Sequence, residues 1–198
     1  GDYKTSISAY YNGHSGLPYT WLINGDLNGD GIFQDPAYVP LVNDSKVSYI
    51  GTQAQIDAFN AFIDNDPYLS SRRGKIVERN GARTPWVNQL DLGIQQELPG
   101  FFKKHKSVLR LDVYNFLNLL NKDWGETMAV PGGFDTRYLA SMGSSVRADG
   151  GYVYNLGTPT ATDLLPNTQK LAVYESNSVF QNRTVSMWSL LLTLRYEF

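Results

Sequence analysis

The chain has 198 residues, 42% of them hydrophobic and 13% aromatic, with a formal net charge of −2. The near balance of 17 Lys and Arg against 19 Asp and Glu excludes the basic surplus of a nucleic-acid binder, and no run approaches the ~18 apolar residues of a membrane-spanning helix. The absence of cysteine excludes disulfide frameworks, thiolate metal sites and a cysteine nucleophile, and it fits an oxidising compartment. The opening Gly-Asp-Tyr carries neither an initiator Met nor a secretory signal, as expected of a mature protein or a piece of a larger one.

The first element in chain order is a strand over about 3–12, where Thr5, Ile7, Ala9 and Tyr11 alternate with Ser6, Ser8 and Tyr10. A long connection, about 13–85, follows. Within it, Asp26-Leu27-Asn28-Gly29-Asp30-Gly31 matches the opening of an EF-hand-type calcium loop, with the Ile32 carbonyl next in line as a ligand. The place of the bidentate Glu is taken by Ala37, and Asp35 is the carboxylate left to stand in for it at a different spacing. Asp26, Asn28, Asp30, Ile32 and Asp35 are thus a candidate Ca2+ site; the alternative is a tight Asx/Gly turn with solvated carboxylates. Further on, Thr52 and Gln55 form a capping box, Ile56, Phe59 and Ile63 recur at helical spacing, and Asp66-Pro67 stops the run. This predicts a short amphipathic helix over about 53–65. Arg72, Arg73, Arg79 and Arg83, with Trp86, form a basic and aromatic cluster that would either recognise an anionic ligand or surface glycan, or pin the connection in place.

A second strand is expected over about 86–98, with Leu90, Leu92, Ile94 and Leu98 opposite Gln89, Asp91, Gln95 and Glu97. The basic turn 99–106 (PGFFKKHK) leads to a third strand, about 107–120, with Leu109, Leu111 and Val113 opposite Arg110 and Asp112. A second long connection, about 121–183, is rich in Gly, Ser, Thr and Asn, with a strand extension at Tyr152-Val153-Tyr154. The final strand, about 184–198, places Trp188, Leu190, Leu192, Leu194, Tyr196 and Phe198 on one face.

Alternation suits a sandwich as well as a barrel, but two features favour a barrel in a membrane. The last strand is an apolar band with aromatic ends, as lipid-facing barrel strands are. The connections run long, short, long, the asymmetry of extracellular loops against periplasmic turns, and a periplasmic C-terminus puts both long loops outside. The helix would then sit on the barrel mouth. Inward-facing Asp91, Gln95, Glu97, Arg110, Asp112, Arg195 and Glu197 would form cross-strand ion pairs or line the interface with a plug inside the barrel. The predicted fold is all-β, with four long antiparallel strands forming part of a transmembrane β-barrel. Four strands leave two open edges that lipid cannot satisfy, so either further strands come from the same parent chain or several chains pool theirs.

The stretches Tyr19–Pro40, Asp66–Trp86, Leu111–Gly125 and the terminal LRYEF together resemble the C-terminal part of a TonB-dependent outer-membrane receptor, in the Oar-like branch that carries a carboxypeptidase-regulatory-like domain upstream. The resemblance implies a 22-stranded barrel closed around a plug, located in the bacterial outer membrane and importing or binding a scarce nutrient with energy from the inner membrane. It implies as partners the membrane lipid, the remaining strands and plug, the TonB complex through the N-terminal region absent here, and a surface lipoprotein or companion chain. Leu190, Leu192, Leu194, Tyr196 and Phe198 resemble the C-terminal assembly signal read by the barrel-insertion machinery.

Nothing in the sequence points to an enzyme. Gly13-His14-Ser15-Gly16 is not a nucleophile elbow, His105 lies among lysines, and no phosphate loop, zinc-protease motif or dinucleotide fingerprint occurs. The alternative from another class is a secreted β-sandwich carbohydrate-binding module with a calcium loop.

Overall fold

The computed structural model describes residues 3–129, 136–143, 147–156, 180–181 and 186–198. In chain order its first elements are β1 (Thr5–His14), β2 (Pro18–Asn24), β3 (Gln34–Pro36), β4 (Tyr38–Val39), β5 (Val47–Ile50), α1 (Gln53–Asn65), α2 (Pro67–Ser71), β6 (Lys75–Ile76) and β7 (Ala82–Arg83). They are followed by β8 (Val87–Pro99), β9 (Lys106–Tyr114), α3 (Phe116–Leu120), β10 (Met128–Ala129), β11 (Thr136–Met142), β12 (Tyr152–Asn155), β13 (Phe180–Gln181) and β14 (Ser189–Glu197). The chain divides into two units, one of residues 1–16, 85–128 and 181–198, the other of residues 17–84 and 129–180.

The first unit is a four-stranded antiparallel sheet in the order β1-β8-β9-β14. Its register is continuous: Ile7 pairs with Ile94, Ile94 with Leu111, and Leu111 with Leu192. Because side chains alternate with a period of two, one face collects Ile7, Ala9, Leu92, Ile94, Leu109, Leu111, Val113, Leu190, Leu192 and Leu194. The other collects Ser8, Tyr10, Asp91, Gln95, Glu97, Arg110, Asp112, Thr193 and Arg195. Among the described residues of this unit, no second layer covers the apolar face. Ile7 is 75% exposed and Leu194 71%.

The third strand stops at Tyr114, short of the expected 120, because Asn115 takes a left-handed conformation (φ 51) and α3 begins behind it. Buried Asn115 holds this end together. Its backbone N–H donates to Asp91 Oδ1 at 2.8 Å, and its side-chain amide donates to the carbonyls of Gly125 at 2.9 Å and Ser186 at 2.6 Å. Gly125 has φ 66 and lies so close that an added Cβ would sit 2.0 Å from Asn115 Oδ1. The last strand begins at Ser189; residues 184 and 185, expected to open it, lie outside the described residues, as do 157–179 of the second long connection.

The second unit is built from the two long connections. Residues 17–84, 136–143 and 147–156 contain a sheet along the path β3-β2-β11-β12-β5, with β7 also paired to β2. The β2–β11 and β12–β5 pairs are parallel, and β11–β12 is antiparallel. This unit holds the hydrophobic core, with Trp21, Ile23, Val39, Phe59, Ile63, Leu69, Leu139 and Tyr154 nearly inaccessible. Phe59 meets Tyr154 edge-on at 6.3 Å, and Trp21 meets Phe62 at 5.7 Å. The Tyr154 hydroxyl donates to the Tyr38 carbonyl at 2.6 Å. Helix α1 starts with the reciprocal Thr52–Gln55 capping box and turns Gln55, Phe59 and Ile63 into this core. Asp66 then ends α1 and caps α2, accepting from the N–H groups of Tyr68 and Leu69 at 2.8 and 2.9 Å.

Asn115→Ala strands two buried carbonyls and forces alanine into a left-handed conformation. The expected loss is about 2–4 kcal/mol, read as a shift of the urea midpoint in detergent; an unchanged midpoint would remove Asn115 from this role.

Candidate functional site

The chemistry of the four-stranded sheet lies in the difference between its faces. At the end of the apolar face away from the β8–β9 turn, Tyr11, Trp86 and Trp124 line a cavity of about 440 Å3 together with Asn88, Leu117, Asp123 and Glu126. Tyr11 and Asn88 both alternate onto the apolar face, and the Tyr11 hydroxyl donates to Asn88 Oδ1 at 2.6 Å. At the opposite end, Tyr196 continues the same face, its ring 5.8 Å from Phe101 and 5.6 Å from His105. Aromatic groups therefore flank the leucine-rich band at both ends. At the rise of an extended strand, the eight residue steps from Trp188 to Tyr196 correspond to about 27 Å, and aromatic girdles about that far apart suit a bilayer's hydrocarbon layer.

The polar face forms a trough of about 370 Å3 lined by Gln95, Arg110, Asp112, Thr193 and Arg195 among others. Its ion pairs run mostly along strands rather than across them. Arg110 Nε meets Asp112 Oδ2 at 2.8 Å and Arg195 pairs with Glu197, while Lys106 reaches Glu97 across the hairpin at 3.5 Å. The cause is spacing, since residues two apart share a face on one strand. Asp91 is occupied by the Asn115 N–H.

A family model described as an outer membrane beta barrel domain matches residues 5–132. The chain belongs to the outer-membrane β-barrel family. It is a protein of the bacterial outer membrane. Comparison with curated proteins and with solved structures gives no match. Strands of an outer-membrane barrel turn apolar residues to lipid and polar ones to the interior, which assigns Leu92, Leu111 and Leu192 to the lipid side and Gln95, Arg110 and Thr193 to the inner side. Among the described residues no helix is long and apolar enough to cross a membrane, a test that does not bear on β-strands.

The remaining sequence candidates lie in the second unit, with Trp86 apart from them on the first. Arg73 is fastened at four points: Asp64 at 2.7 Å, the Asn60 side chain at 2.9 Å, and the carbonyls of Asn60 and Pro40 at 3.0 and 2.7 Å. Arg72 pairs with Glu78 at 2.9 Å and lies over the Tyr68 ring. Arg79 is exposed, and Arg83 lies on β7. The arginines thus divide between fastening and surface positions. Sequence reading missed Arg137, whose guanidinium stacks 4.6 Å over Trp21; desolvation by burial lowers its pKa to about 10.

In the Asp26–Asp35 loop the carboxylates turn to the backbone. Asp26 accepts from Gly29, Asp30 and Gly31 N–H at 2.6, 3.1 and 2.8 Å. Asp30 accepts from Ile32 at 2.8 Å, and Asp35 from Leu27 and Asn28 at 2.6 and 3.2 Å. Ala37, at the position of the bidentate ligand, is fully buried. Among the described residues no group of three or more His, Cys, Asp or Glu is arranged to hold a metal. The turn is held by its own amides.

The Gly31 amide, followed by those of Gly29 and Asp30, holds the Asp26 carboxyl below its ordinary pKa. A depressed folded pKa stabilises the turn above the unfolded value, and this stabilisation is lost as pH falls through the folded one. Hydrogen exchange should therefore show Gly29–Gly31 amides losing protection on acidification below the ordinary carboxylate range, and in Asp26→Ala at neutral pH; unchanged protection in that variant would exclude the network. The face assignment makes a separate prediction. Leu192→Lys should impair membrane insertion by about 2–4 kcal/mol, whereas Thr193→Lys, one residue along, should insert normally on a heat-modifiability gel.

Proposed function

We propose that the chain supplies wall and ligand-facing regions to a TonB-dependent outer-membrane receptor of the Oar-like branch, which captures a nutrient at the cell surface and imports it with energy from the inner membrane. The observation that carries this reading is the sheet itself. It has a lipid-type face and a polar face, and its outer strands β1 and β14 have no further strand partner among the described residues. Unpaired strand edges are not tolerated in lipid, so additional strands complete the ring, either from the same polypeptide or from a companion chain. On this reading a plug fills the ring, the TonB complex engages the receptor through its N-terminal region, and a surface lipoprotein is a further candidate partner.

The second unit, with its own core, is the part suited to face the outside, where an ordered surface can present a ligand site. Leu190, Leu192, Leu194 and Tyr196 share the lipid face, and with Phe198, which follows β14, they serve, on this proposal, as the strand signal read by the barrel-insertion machinery. No bond-making step is assigned to the chain. A secreted sandwich is disfavoured because its apolar face would lie against a second sheet, whereas Ile7, Leu192 and Leu194 are exposed.

The test is energy-coupled uptake. Cells carrying the native protein should accumulate a candidate nutrient, screened by the growth it supports, and lose accumulation when TonB is removed or the proton-motive force is collapsed. Surface binding should persist in both cases. Accumulation independent of TonB would overturn the receptor reading while leaving the barrel family intact.

A further inference from the structure

The turn between β8 and β9 presents a charged and aromatic surface that the uptake reading leaves unused. It is tightly built. Gly100 N–H donates to the His105 carbonyl at 3.0 Å and His105 N–H to the Phe102 carbonyl at 3.1 Å. Lys104 sits at φ 75, and a Cβ on Gly100 would lie 2.5 Å from His105 Cβ and 2.6 Å from its carbonyl carbon. This closed geometry projects Phe101 and Phe102 outward, 89% and 71% exposed.

The two rings are part of a cluster. Phe101 lies 5.8 Å from Tyr196, Phe102 lies 5.4 Å from His105, and His105 Nδ1 is 2.8 Å from the Tyr196 hydroxyl. Tyr196 stands on the face that carries Leu190, Leu192 and Leu194, so the cluster continues the lipid-facing band past its end. Lys103 and Lys104 follow the two rings in the chain, both exposed and without an ion-pair partner among the described residues. Lys106 is already engaged by Glu97 at 3.5 Å.

We propose that this turn is a docking site for anionic phospholipid. Phe101 and Phe102 enter the interfacial layer beside Tyr196, and Lys103 and Lys104 pair with negatively charged headgroups of the phosphatidylglycerol type. Aromatic side chains settle at headgroup depth, and a lysine held at an anionic lipid surface strengthens attachment by about fivefold. Continuity with the lipid face selects lipid over an acidic protein as the occupant, because a protein partner there would have to displace the annular lipid around Tyr196. The inference rests on the membrane-spanning reading of the sheet.

The experiment reconstitutes the native outer-membrane protein in phosphatidylcholine bilayers with trace spin-labelled phosphatidylglycerol or phosphatidylcholine, and measures the motionally restricted lipid by electron spin resonance. The expected result is a two- to fivefold preference (about one lysine's worth) for phosphatidylglycerol. It should fall to about unity in Lys103→Glu/Lys104→Glu and shrink for the native protein in about 1 M salt. Lys103→Gln/Lys104→Gln gives the same readout if charge reversal prevents insertion. Equal restriction of both lipids by the native protein, or a preference unchanged in the lysine variants, overturns the proposal and leaves water or an acidic protein as the neighbour of the turn. Absence of any restricted lipid would instead remove the membrane-spanning reading on which it stands.

Discussion

Everything in the first unit depends on an uninterrupted register across β1, β8, β9 and β14. With a side-chain period of two, a slip of one residue in any pairing would send Leu111 or Leu192 to the polar side and Arg110 or Thr193 to the apolar side. Such a slip is most costly where one side is hydrocarbon, since a charge there has neither water nor a counter-ion. Two local devices hold the alignment at opposite ends. Gly100 permits the tight β8–β9 turn, and Asn115 terminates β9 while fastening it to Asp91, Gly125 and Ser186.

The two units solve the hydrophobic problem differently. The segments 17–84, 136–143 and 147–156 bury large side chains against one another, and the core cluster is drawn from them. The sheet keeps its leucines and isoleucines on an uncovered surface and leaves their burial to the surroundings. An apolar area of this kind marks a membrane or partner surface in a folded protein. The same distinction explains the polar residues. Arg73 is consumed by internal hydrogen bonds, whereas Lys103 and Lys104 have no ion-pair partner among the described residues.

How much could be read from the sequence varied with element length. The strands around Leu92, Leu111 and Leu192 alternate over enough residues for the period to be seen, and the Thr52–Gln55 box marks the start of α1 at its true place. Elements such as Tyr38–Val39, Lys75–Ile76 and Ala82–Arg83 are two residues long, too short to carry any period. Parallel pairs such as Trp21 with Arg137 join segments so far apart that no local signal announces them. The end of β9 was hidden because Phe116 and Leu117 extend the apolar pattern, and only the left-handed turn at Asn115 breaks it. In the Asp26–Asp35 loop the motif was visible but the backbone N–H groups its oxygens accept from were not, because those bonds depend on the folded turn.

The reach of Asn115 has a consequence for the order of assembly. Its bond to Ser186 spans 71 positions in the chain, whereas β8 and β9 meet across a single tight turn. Closing the longer loop costs roughly 2 kcal/mol more in chain entropy, so the β8–β9 hairpin is the natural nucleus and β14 the late arrival. Until β14 docks, β9 presents an open edge, and Leu109 and Leu111 lie beside an empty place in the sheet. The newly made chain is then most vulnerable to mispairing at β9, and this interval is where a chaperone would be of most use.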